Sequence, residues 1–195
     1  MTEMLHDTGE PTAPDPPAPI PSPLTPSQSA LVGWFRTLAS AAVYATLLVT
    51  FVLQVARVEG VSMAPTLDDE DRLIVNKLVY RFAEPQPGDI VMLYYPPEPD
   101  KAFVKRIVAK GGDSVRLVDG RVLVNELPLG DGYVLPEYRS HDDWGPHVIP
   151  QGYYFVLGDH RNNSSDSRDW GDVPRKYIVG KVQVRWWPIA DAAVF

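Results

Sequence analysis

The feature that most constrains this chain is residues 37–56, a run of 20 residues without a single charge. At a rise of 1.5 Å per residue, a helix of this length is about 30 Å long, which matches the apolar core of a bilayer. Trp34 and Arg36 flank one end and Arg57 the other, as expected of side chains at a membrane interface. The run therefore predicts a transmembrane helix that occupies residues 31–57 with its flanks.

Two alternatives fit this run less well. A buried helix of a soluble protein is disfavoured because the run is long and apolar on every side. A cleaved signal peptide has an apolar region of about 7–15 residues behind a basic segment, whereas this run is longer and follows an acidic segment. Arg36 and Arg57 nearly balance each other, so the charges do not orient the helix.

The N-terminal segment, residues 1–30, has a composition unlike the rest of the chain. It holds 8 of the 20 prolines and no Lys or Arg. Such a segment disfavours helix and offers little apolar surface to bury, so we predict a disordered, acidic tail that is partly polyproline II. A plain spacer is favoured over a ligand for a proline-binding domain.

Residues 58–195 are predicted to form one β-rich domain. Short runs of Val, Ile, Leu and Tyr alternate with Gly, Pro and Asp at intervals of roughly 8–12 residues, which is typical of an all-β barrel or a pair of packed sheets. The predicted strands are Arg72–Val75, Asp89–Tyr95, Phe103–Ala109, Ser114–Leu117, Val122–Val124, Tyr153–Leu157 and Gly180–Trp187. Asp119-Gly120 between two of these runs is a hairpin signal.

Charge and cysteine content exclude several classes of function. The formal net charge is −7 and no basic cluster is present, so binding of nucleic acid through its phosphates is not expected. The chain has no cysteine, which excludes disulfides, thiolate zinc sites and a cysteine nucleophile.

The first candidate site is the segment from Gly60 to Leu67, which begins shortly after the apolar run and contains Ser62. Six extended residues span at most about 20 Å, so Ser62 is expected close to the membrane surface. A nucleophile there is useful only if its substrate is also at the membrane. On this segment alone, a surface turn built on Gly and Pro is the better interpretation.

The second candidate site is the strand around Lys105. Alternation puts Phe103, Lys105 and Ile107 on one face and Val104 with Arg106 on the other. A lysine among hydrophobic residues loses hydration of its charged form, so its pKa falls and the neutral amine can take a proton from a serine. Arg106 cannot do this because guanidinium stays protonated. Without a partner motif, an edge strand whose Lys and Arg reach water is favoured.

The third candidate site is the polar segment from Gly158 to Arg168, which follows a predicted strand. Its two Arg, two Asp, two Asn and three Ser could form a hydrogen-bonded network that orients a lysine, although a solvated loop is the simpler interpretation. His160 is an alternative general base, but its neighbours offer no clear orienting pair, and Lys105 fits that role better.

Together these segments resemble type I signal peptidases, membrane-anchored endopeptidases that use a Ser-Lys dyad. Four motifs occur in the family's order from about residue 37 onward. They are Ser62-Met63-Ala64-Pro65-Thr66-Leu67, Gly88-Asp89-Ile90-Val91, Phe103-Val104-Lys105-Arg106-Ile107-Val108 followed by Gly111-Gly112-Asp113, and the whole Gly158–Arg168 segment. Each motif is weak alone, but the ordered set is highly specific.

The resemblance implies a role for particular residues. Ser62 would be the nucleophile and Lys105 the general base, with Ser164 orienting the lysine. Asp166 with Arg168, and Arg106 with Asp159, would be structural ion pairs. The pockets that accept alanine-like residues at the first and third positions before the cut would involve Met63, Leu67, Phe103 and Val104.

Two positions depart from the usual family pattern. One branch of the family has a serine two residues before the nucleophile, whose hydroxyl helps to hold the oxyanion; here that residue is Gly60. The oxyanion would then rest on backbone N–H groups at Ser62 and Gly60, chiefly that of Ser62, and Gly60 would allow close approach of the substrate. His160 stands where the family usually has Asn.

The resemblance also implies a β-rich domain outside the cytoplasmic membrane, with the N-terminal tail in the cytoplasm. Its partners would be preproteins that carry signal peptides, the lipid bilayer and the secretion machinery, with no nucleic acid, no metal and no cofactor. The rival functions are another Ser-Lys peptidase, such as a pilin-processing enzyme or a self-cleaving repressor, and a non-enzymatic membrane-tethered β-domain that binds exported proteins. The intact Ser62, Lys105 and polar segment speak against the last.

Overall fold

The computed structural model describes residues 26–195, apart from the side chains of residues 26–28, 48 and 49. The predicted disordered tail therefore lies outside the described residues as far as residue 25. Residues 26–30, which we assigned to that tail, are instead the start of helix α1, Pro26–Phe51. A proline suits this first position because its missing N–H would have no partner within the helix.

Helix α1 is long and apolar enough to cross a membrane. Among the described residues, the candidate membrane span is the 19-residue segment Ser29–Leu47, with a mean hydropathy of 1.2 and no buried side chains. The chain divides into two compact units inside this helix, between Ala42 and Val43.

The helix ends earlier than the uncharged run predicted. The run continues to residue 56, but strand β1 begins at Leu53 and pairs antiparallel along its five residues with strand β2, from Arg57↔Arg72 to Leu53↔Asn76. This pairing supplies backbone hydrogen bonds that replace those of a helix. Arg57 is thus the last residue of a strand rather than the flank of a helix.

The rest of the described chain is mainly β, as predicted. The strands are β1 Leu53–Arg57, β2 Arg72–Asn76, β3 Ile90–Tyr94, β4 Ala102–Lys110, β5 Ser114–Val118, β6 Arg121–Val124, β7 Leu127–Pro128, β8 Trp144–Val148, β9 Tyr153–Leu157, β10 Val173–Pro174, β11 Ile178–Trp187 and β12 Ala193–Val194. The short helices are α2 Val79–Phe82 and α3 Ser167–Trp170, with 3₁₀ turns at Pro136–Tyr138, Arg175–Tyr177 and Ile189–Asp191.

The strands form two sheets. The larger has the order β1-β2-β11-β3-β4-β9-β10, with β12 added on β11, and the smaller has the order β7-β6-β5-β8. Every strand pair described is antiparallel, which confirms the predicted fold class. The hairpin joins β5 to β6, and both Asp119 and Gly120 have the positive φ that its turn requires.

Three hydrophobic clusters hold this domain together. One of them contains Val108 from β4, Val115 from β5 and Phe155 from β9, so the two sheets share a core. Another packs residues of β2, β3 and β11 against Met63 and Leu67. Met63 and Leu67 therefore anchor the segment that contains Ser62 to the larger sheet.

Candidate active site

Ser62 lies in a compact turn between β1 and β2. The N–H of Ala64 donates to the carbonyl oxygen of Val61 at 3.0 Å, and the N–H of Leu67 donates to that of Met63 at 3.0 Å. Met63 and Leu67 are almost completely buried, so they fix this turn to the core. The small, tightly turned segment thus holds the Ser62 hydroxyl in a defined place.

Lys105 lies on β4, which is flanked by β3 and β9 and is not an edge strand. Its side chain is 3% exposed, so it does not extend to water. Its Nζ is 2.8 Å from the Ser62 Oγ and 3.1 Å from the Ser164 Oγ. As a neutral amine it could accept the Ser62 proton on its lone pair while donating to Ser164.

The environment of Lys105 favours its neutral form. Burial lowers the pKa of this lysine from 10.5 to about 8; the Asp166 carboxylate opposes the shift, and the Arg168 guanidinium adds to it. An amine with this pKa is neutral in about one molecule in ten at pH 7 and in about half of the molecules at pH 8. It can therefore act as a general base under ordinary conditions.

The loop that carries Ser164 is held by an ion pair. Both oxygens of Asp166, which is completely buried, accept N–H groups of Arg168 at 2.8 Å. Asp166 also accepts the backbone N–H of Gly158 at 3.1 Å and caps helix α3. Its carboxylate therefore joins the two ends of the polar loop, and Ser164 lies between them.

A second ion pair connects the strand of the lysine to the turn of the serine. Arg106 donates to both oxygens of the buried Asp159 at 2.9 and 2.7 Å. The Thr66 hydroxyl donates to the same carboxylate at 2.6 Å. The contribution of Thr66 was not foreseen in the sequence, because no local pattern pairs it with a residue 93 positions away.

Gly158 begins the polar segment, but its own role was not predicted from the sequence. A Cβ built on it would be 2.2 Å from the Ser164 Oγ and 2.3 Å from the Ser62 carbonyl oxygen. No side chain fits there, so this glycine lets the serine turn and the polar loop meet. The available signal was a glycine directly after a buried strand, a position that often marks a close approach of backbones.

His160 braces the serine turn and does not contact the Ser62 hydroxyl. Its Nδ1 is 3.0 Å from the Val61 carbonyl oxygen, and its backbone N–H donates to the Ser62 carbonyl at 3.1 Å. The geometry therefore does not support His160 as the base.

The two backbone groups expected at the oxyanion differ in their availability. The Gly60 N–H donates to the Asp69 carboxylate at 2.8 Å and is therefore engaged, while Gly60 itself adopts a positive φ of 88°. The Ser62 N–H has no acceptor within residues 26–195. Of the two groups, only the Ser62 N–H is free to meet a developing negative charge.

A cleft of about 510 Å³ opens beside Ser62. Of the four residues predicted near the substrate pockets, Met63, Phe103 and Val104 line this cleft. Leu67 does not, because it is completely buried in the core cluster that contains Met63. The walls also include the apolar residues Ala56, Val58, Met92 and Ala102, together with the polar or charged residues Gln54, Arg57, Glu59 and Lys101.

The site has the groups for proton transfer and nucleophilic attack. In the described part of the chain, no three His, Asp or Glu side chains are grouped to hold a metal ion. A hydroxyl, a buried amine, a free N–H and a partly apolar cleft together suit acyl transfer to a serine.

Comparisons with known proteins agree with this chemistry. The family described as "Signal peptidase, peptidase S26" matches residues 31–187. The signal peptidase I of Leptolyngbya laminosa is 38% identical, over 95% of this chain and 94% of that protein. A probable signal peptidase I-2 of Synechocystis sp. is 40% identical, over 79% and 72%. A probable chloroplastic thylakoidal processing peptidase 2 of Arabidopsis thaliana is 41% identical, over 67% and 37%.

Proposed function

The chain belongs to the signal peptidase family, peptidase S26, and from this premise we propose that it is a membrane-bound serine endopeptidase with a Ser62–Lys105 dyad. Its substrates are preproteins with N-terminal signal peptides. It cuts them after small residues of the Ala-x-Ala type. The observation that carries this proposal is the 2.8 Å contact between the Lys105 Nζ and the Ser62 Oγ inside an apolar sheet.

The first half of the reaction is acylation of Ser62. Neutral Lys105 takes the Ser62 proton as the oxygen attacks the scissile carbonyl carbon, and a tetrahedral intermediate forms. The carbon–nitrogen bond then breaks, and Lys105 gives its proton to the departing amine, which is the N-terminus of the mature protein. Ser164, whose Oγ is 3.1 Å from the Lys105 Nζ, keeps the amine directed at Ser62.

The second half is hydrolysis of the acyl-enzyme. The mature protein has left, so water can approach the ester on Ser62. Lys105, again neutral, accepts a proton from this water as it attacks. When the ester bond breaks, that proton passes to the Ser62 oxygen, and the signal peptide leaves with a new carboxyl terminus. All groups return to their starting state.

The negative charge of both tetrahedral intermediates needs a fixed donor. The Ser62 N–H is free and belongs to the attacking residue, so it suits this role. Gly60 does not offer its N–H to the oxyanion, because that group is bound to Asp69. Its missing side chain leaves room for a substrate backbone beside Ser62.

The cleft accounts for the preference for small residues. Met63, Phe103 and Val104 line it beside Ser62 and offer apolar contacts to small side chains before the cut. Alanine-like side chains at the first and third positions before the cut fit these apolar walls. Extended backbones alternate their side chains, so the first and third residues face the same wall.

The apolar helix α1 supports an attachment to the membrane. A preprotein held in the bilayer by its own apolar segment meets a membrane-bound site at a raised effective concentration. We assign the enzyme to the cytoplasmic membrane as a single-pass protein, with its N-terminus in the cytoplasm and residues 58–195 outside. The lipid bilayer and the secretion machinery are its proposed partners besides the preproteins.

The test is cleavage of a model preprotein with an Ala-x-Ala site by the full-length chain in detergent, followed by mass spectrometry of both products. The wild type should release one peptide that ends at the second alanine. Ser62→Ala should be inactive, and Lys105→Ala should lose at least about 100-fold. Lys105→Arg should fail as well, because arginine keeps its proton.

Lys110→Ala is the matched control. Lys110 lies on the same strand but is exposed and donates to Gln86, so this variant should cleave like the wild type. Wild-type activity in either Ser62→Ala or Lys105→Ala would show that the dyad is assigned incorrectly.

A further inference from the structure

We propose that His160 is a positioning residue for the oxyanion donor, an inference that rests on the proposed function. Its imidazole holds the peptide group between Val61 and Ser62, and thereby aims the Ser62 N–H at the cleft. The role concerns geometry and not proton transfer, since His160 bonds to backbone and not to the Ser62 hydroxyl.

The contact defines which ring nitrogen carries the proton. The Nδ1 of His160 is 3.0 Å from the carbonyl oxygen of Val61. A carbonyl oxygen can only accept, so the hydrogen must be on Nδ1. The Nδ1–H tautomer and the protonated ring can both make this bond.

The consequence for Ser62 follows from the planarity of the peptide group. The carbonyl of Val61 and the N–H of Ser62 belong to the same trans peptide unit, in which C=O and N–H point in opposite directions. A donor that fixes the Val61 oxygen on one side therefore fixes the Ser62 N–H on the other. If this unit rotated, the only unengaged N–H of the pair Gly60 and Ser62 would turn away from the oxyanion.

His160 fixes the next peptide unit as well. Its backbone N–H donates to the Ser62 carbonyl at 3.1 Å, so one residue binds the carbonyls on both sides of the nucleophile. Among the described residues, no other side chain donates to either oxygen. The Ala64 N–H also reaches the Val61 oxygen, but it belongs to the turn itself and would move with it.

The imidazole is itself held in place from two sides. Its ring centre is 4.2 Å from that of Tyr138, at an interplanar angle of 59°. The preceding residue, Asp159, is completely buried and bound to Arg106 and Thr66. The donor is thus preorganised relative to the serine turn, as an element of an oxyanion site must be.

Two substitutions separate the hydrogen bond from the packing. His160→Asn keeps an N–H donor at the same distance along the side chain but removes the ring. His160→Phe keeps a ring against Tyr138 but removes the donor. We expect His160→Asn to retain activity within about threefold and His160→Phe to lose roughly tenfold to hundredfold in kcat, less than or similar to the removal of an oxyanion donor.

The experiment measures kcat and KM for the model preprotein, and the affinity for a peptide aldehyde ending in Ala-x-alaninal, with full-length chains in detergent. The Ser62 oxygen adds to the aldehyde carbon to give a tetrahedral adduct that resembles the intermediate. His160→Phe should lower the affinity for the aldehyde by the same factor as it lowers kcat, while KM stays unchanged. His141→Ala, an exposed histidine paired with Asp119, is the control and should match the wild type.

Other results would overturn this role. A His160→Phe variant as active as the wild type would show that the donor is dispensable. If His160→Phe were active and His160→Asn only weakly active, His160 would act through packing alone. The same conclusion would follow if His160→Phe changed KM and left kcat unchanged. A wild type that fails to cleave the preprotein would contradict the proposed function instead. Because each variant preserves one of the two contacts, thermal unfolding should confirm that both fold.

Discussion

Burial of Lys105, the proposed general base, destabilises the folded protein. Its side chain is almost completely buried, and burial lowers its pKa from 10.5 to about 8. A shift of this size corresponds to roughly 3 kcal/mol of destabilisation when the amine is charged. The same burial that makes Lys105 a usable base therefore weakens the folded state at neutral pH.

Because the buried, charged amine destabilises the folded state, we predict that Lys105→Met stabilises the protein while abolishing cleavage. The folded pKa is below the unfolded one, so the penalty is complete below pH 8 and disappears as the pH rises towards 10.5. After allowance for two lost hydrogen bonds of about 0.5–1.5 kcal/mol each, we expect a gain of up to about 2 kcal/mol at pH 7 and less at pH 10. Denaturant unfolding monitored by tryptophan fluorescence would measure it, and a less stable Met variant at pH 7 would contradict this account.

Gly158 supplies a sharper prediction at a single position. A Cβ there would overlap the Ser164 hydroxyl and the Ser62 carbonyl at 2.2 and 2.3 Å, so Gly158→Ala must push the two serines apart. We expect its kcat to fall by roughly 100-fold or more, since positioning of this kind is worth that much per ångström. Gly130→Ala, with nothing within 4 Å of the added carbon, should be unaffected. An active Gly158→Ala enzyme would mean that the dyad tolerates a wider spacing.

At the scale of elements, alternation of apolar residues predicted the central strands well. Strands such as β4 and β9 were recognised because their buried runs are bounded by Gly, Pro and Asp. Strand β1 was not, because an uncharged run gives no signal at the point where a helix becomes a strand. That boundary depends on pairing with β2, which is a tertiary contact.

The candidate site, too, was predictable from the sequence only in part. Sequence patterns pointed to Ser62 and Lys105 as a nucleophile and a base, but only through a resemblance that supplied their pairing. The contact itself joins residues 43 positions apart. The bond from Gly60 to Asp69 and the bracing by His160 could not be predicted, because both depend on the exact course of the backbone.

The ion pair between β4 and the polar loop should be important for stability. Asp159 is completely buried and the Arg106 side chain is 12% exposed. Asp159→Ala leaves a guanidinium buried without its partner, and we expect a loss of roughly 3–5 kcal/mol. Glu98→Ala, which removes an exposed pair with Lys101, should cost less than about 1 kcal/mol. Equal losses in denaturant unfolding would argue against a structural role for the Arg106–Asp159 pair.

The whole chain combines an apolar helix with a β-rich domain. The length and hydropathy of α1 are sufficient for a membrane span, but the nearly equal flanking charges do not orient it. The proposed orientation, with the tail inside and the domain outside, therefore needs its own test.

The absence of cysteine from the sequence makes this test straightforward. Leu127→Cys introduces one thiol at an exposed position of the domain, and Thr8→Cys introduces one in the N-terminal tail. In intact cells, a membrane-impermeant maleimide should label the Leu127→Cys protein and not the Thr8→Cys protein. Permeabilised cells should show labelling of both, and the reverse pattern in intact cells would invert the proposed topology.

In the proposed mechanism, a neutral amine at position 105 activates the hydroxyl of Ser62. The most direct measurement is kcat/KM of the full-length wild type, from pH 5 to pH 10, on the model preprotein. We predict a tenfold rise per pH unit at low pH that levels off near pH 8, because only deprotonated Lys105 can accept the proton. A rate that does not change with pH, or a rise that persists in Lys105→Ala, would contradict the claim.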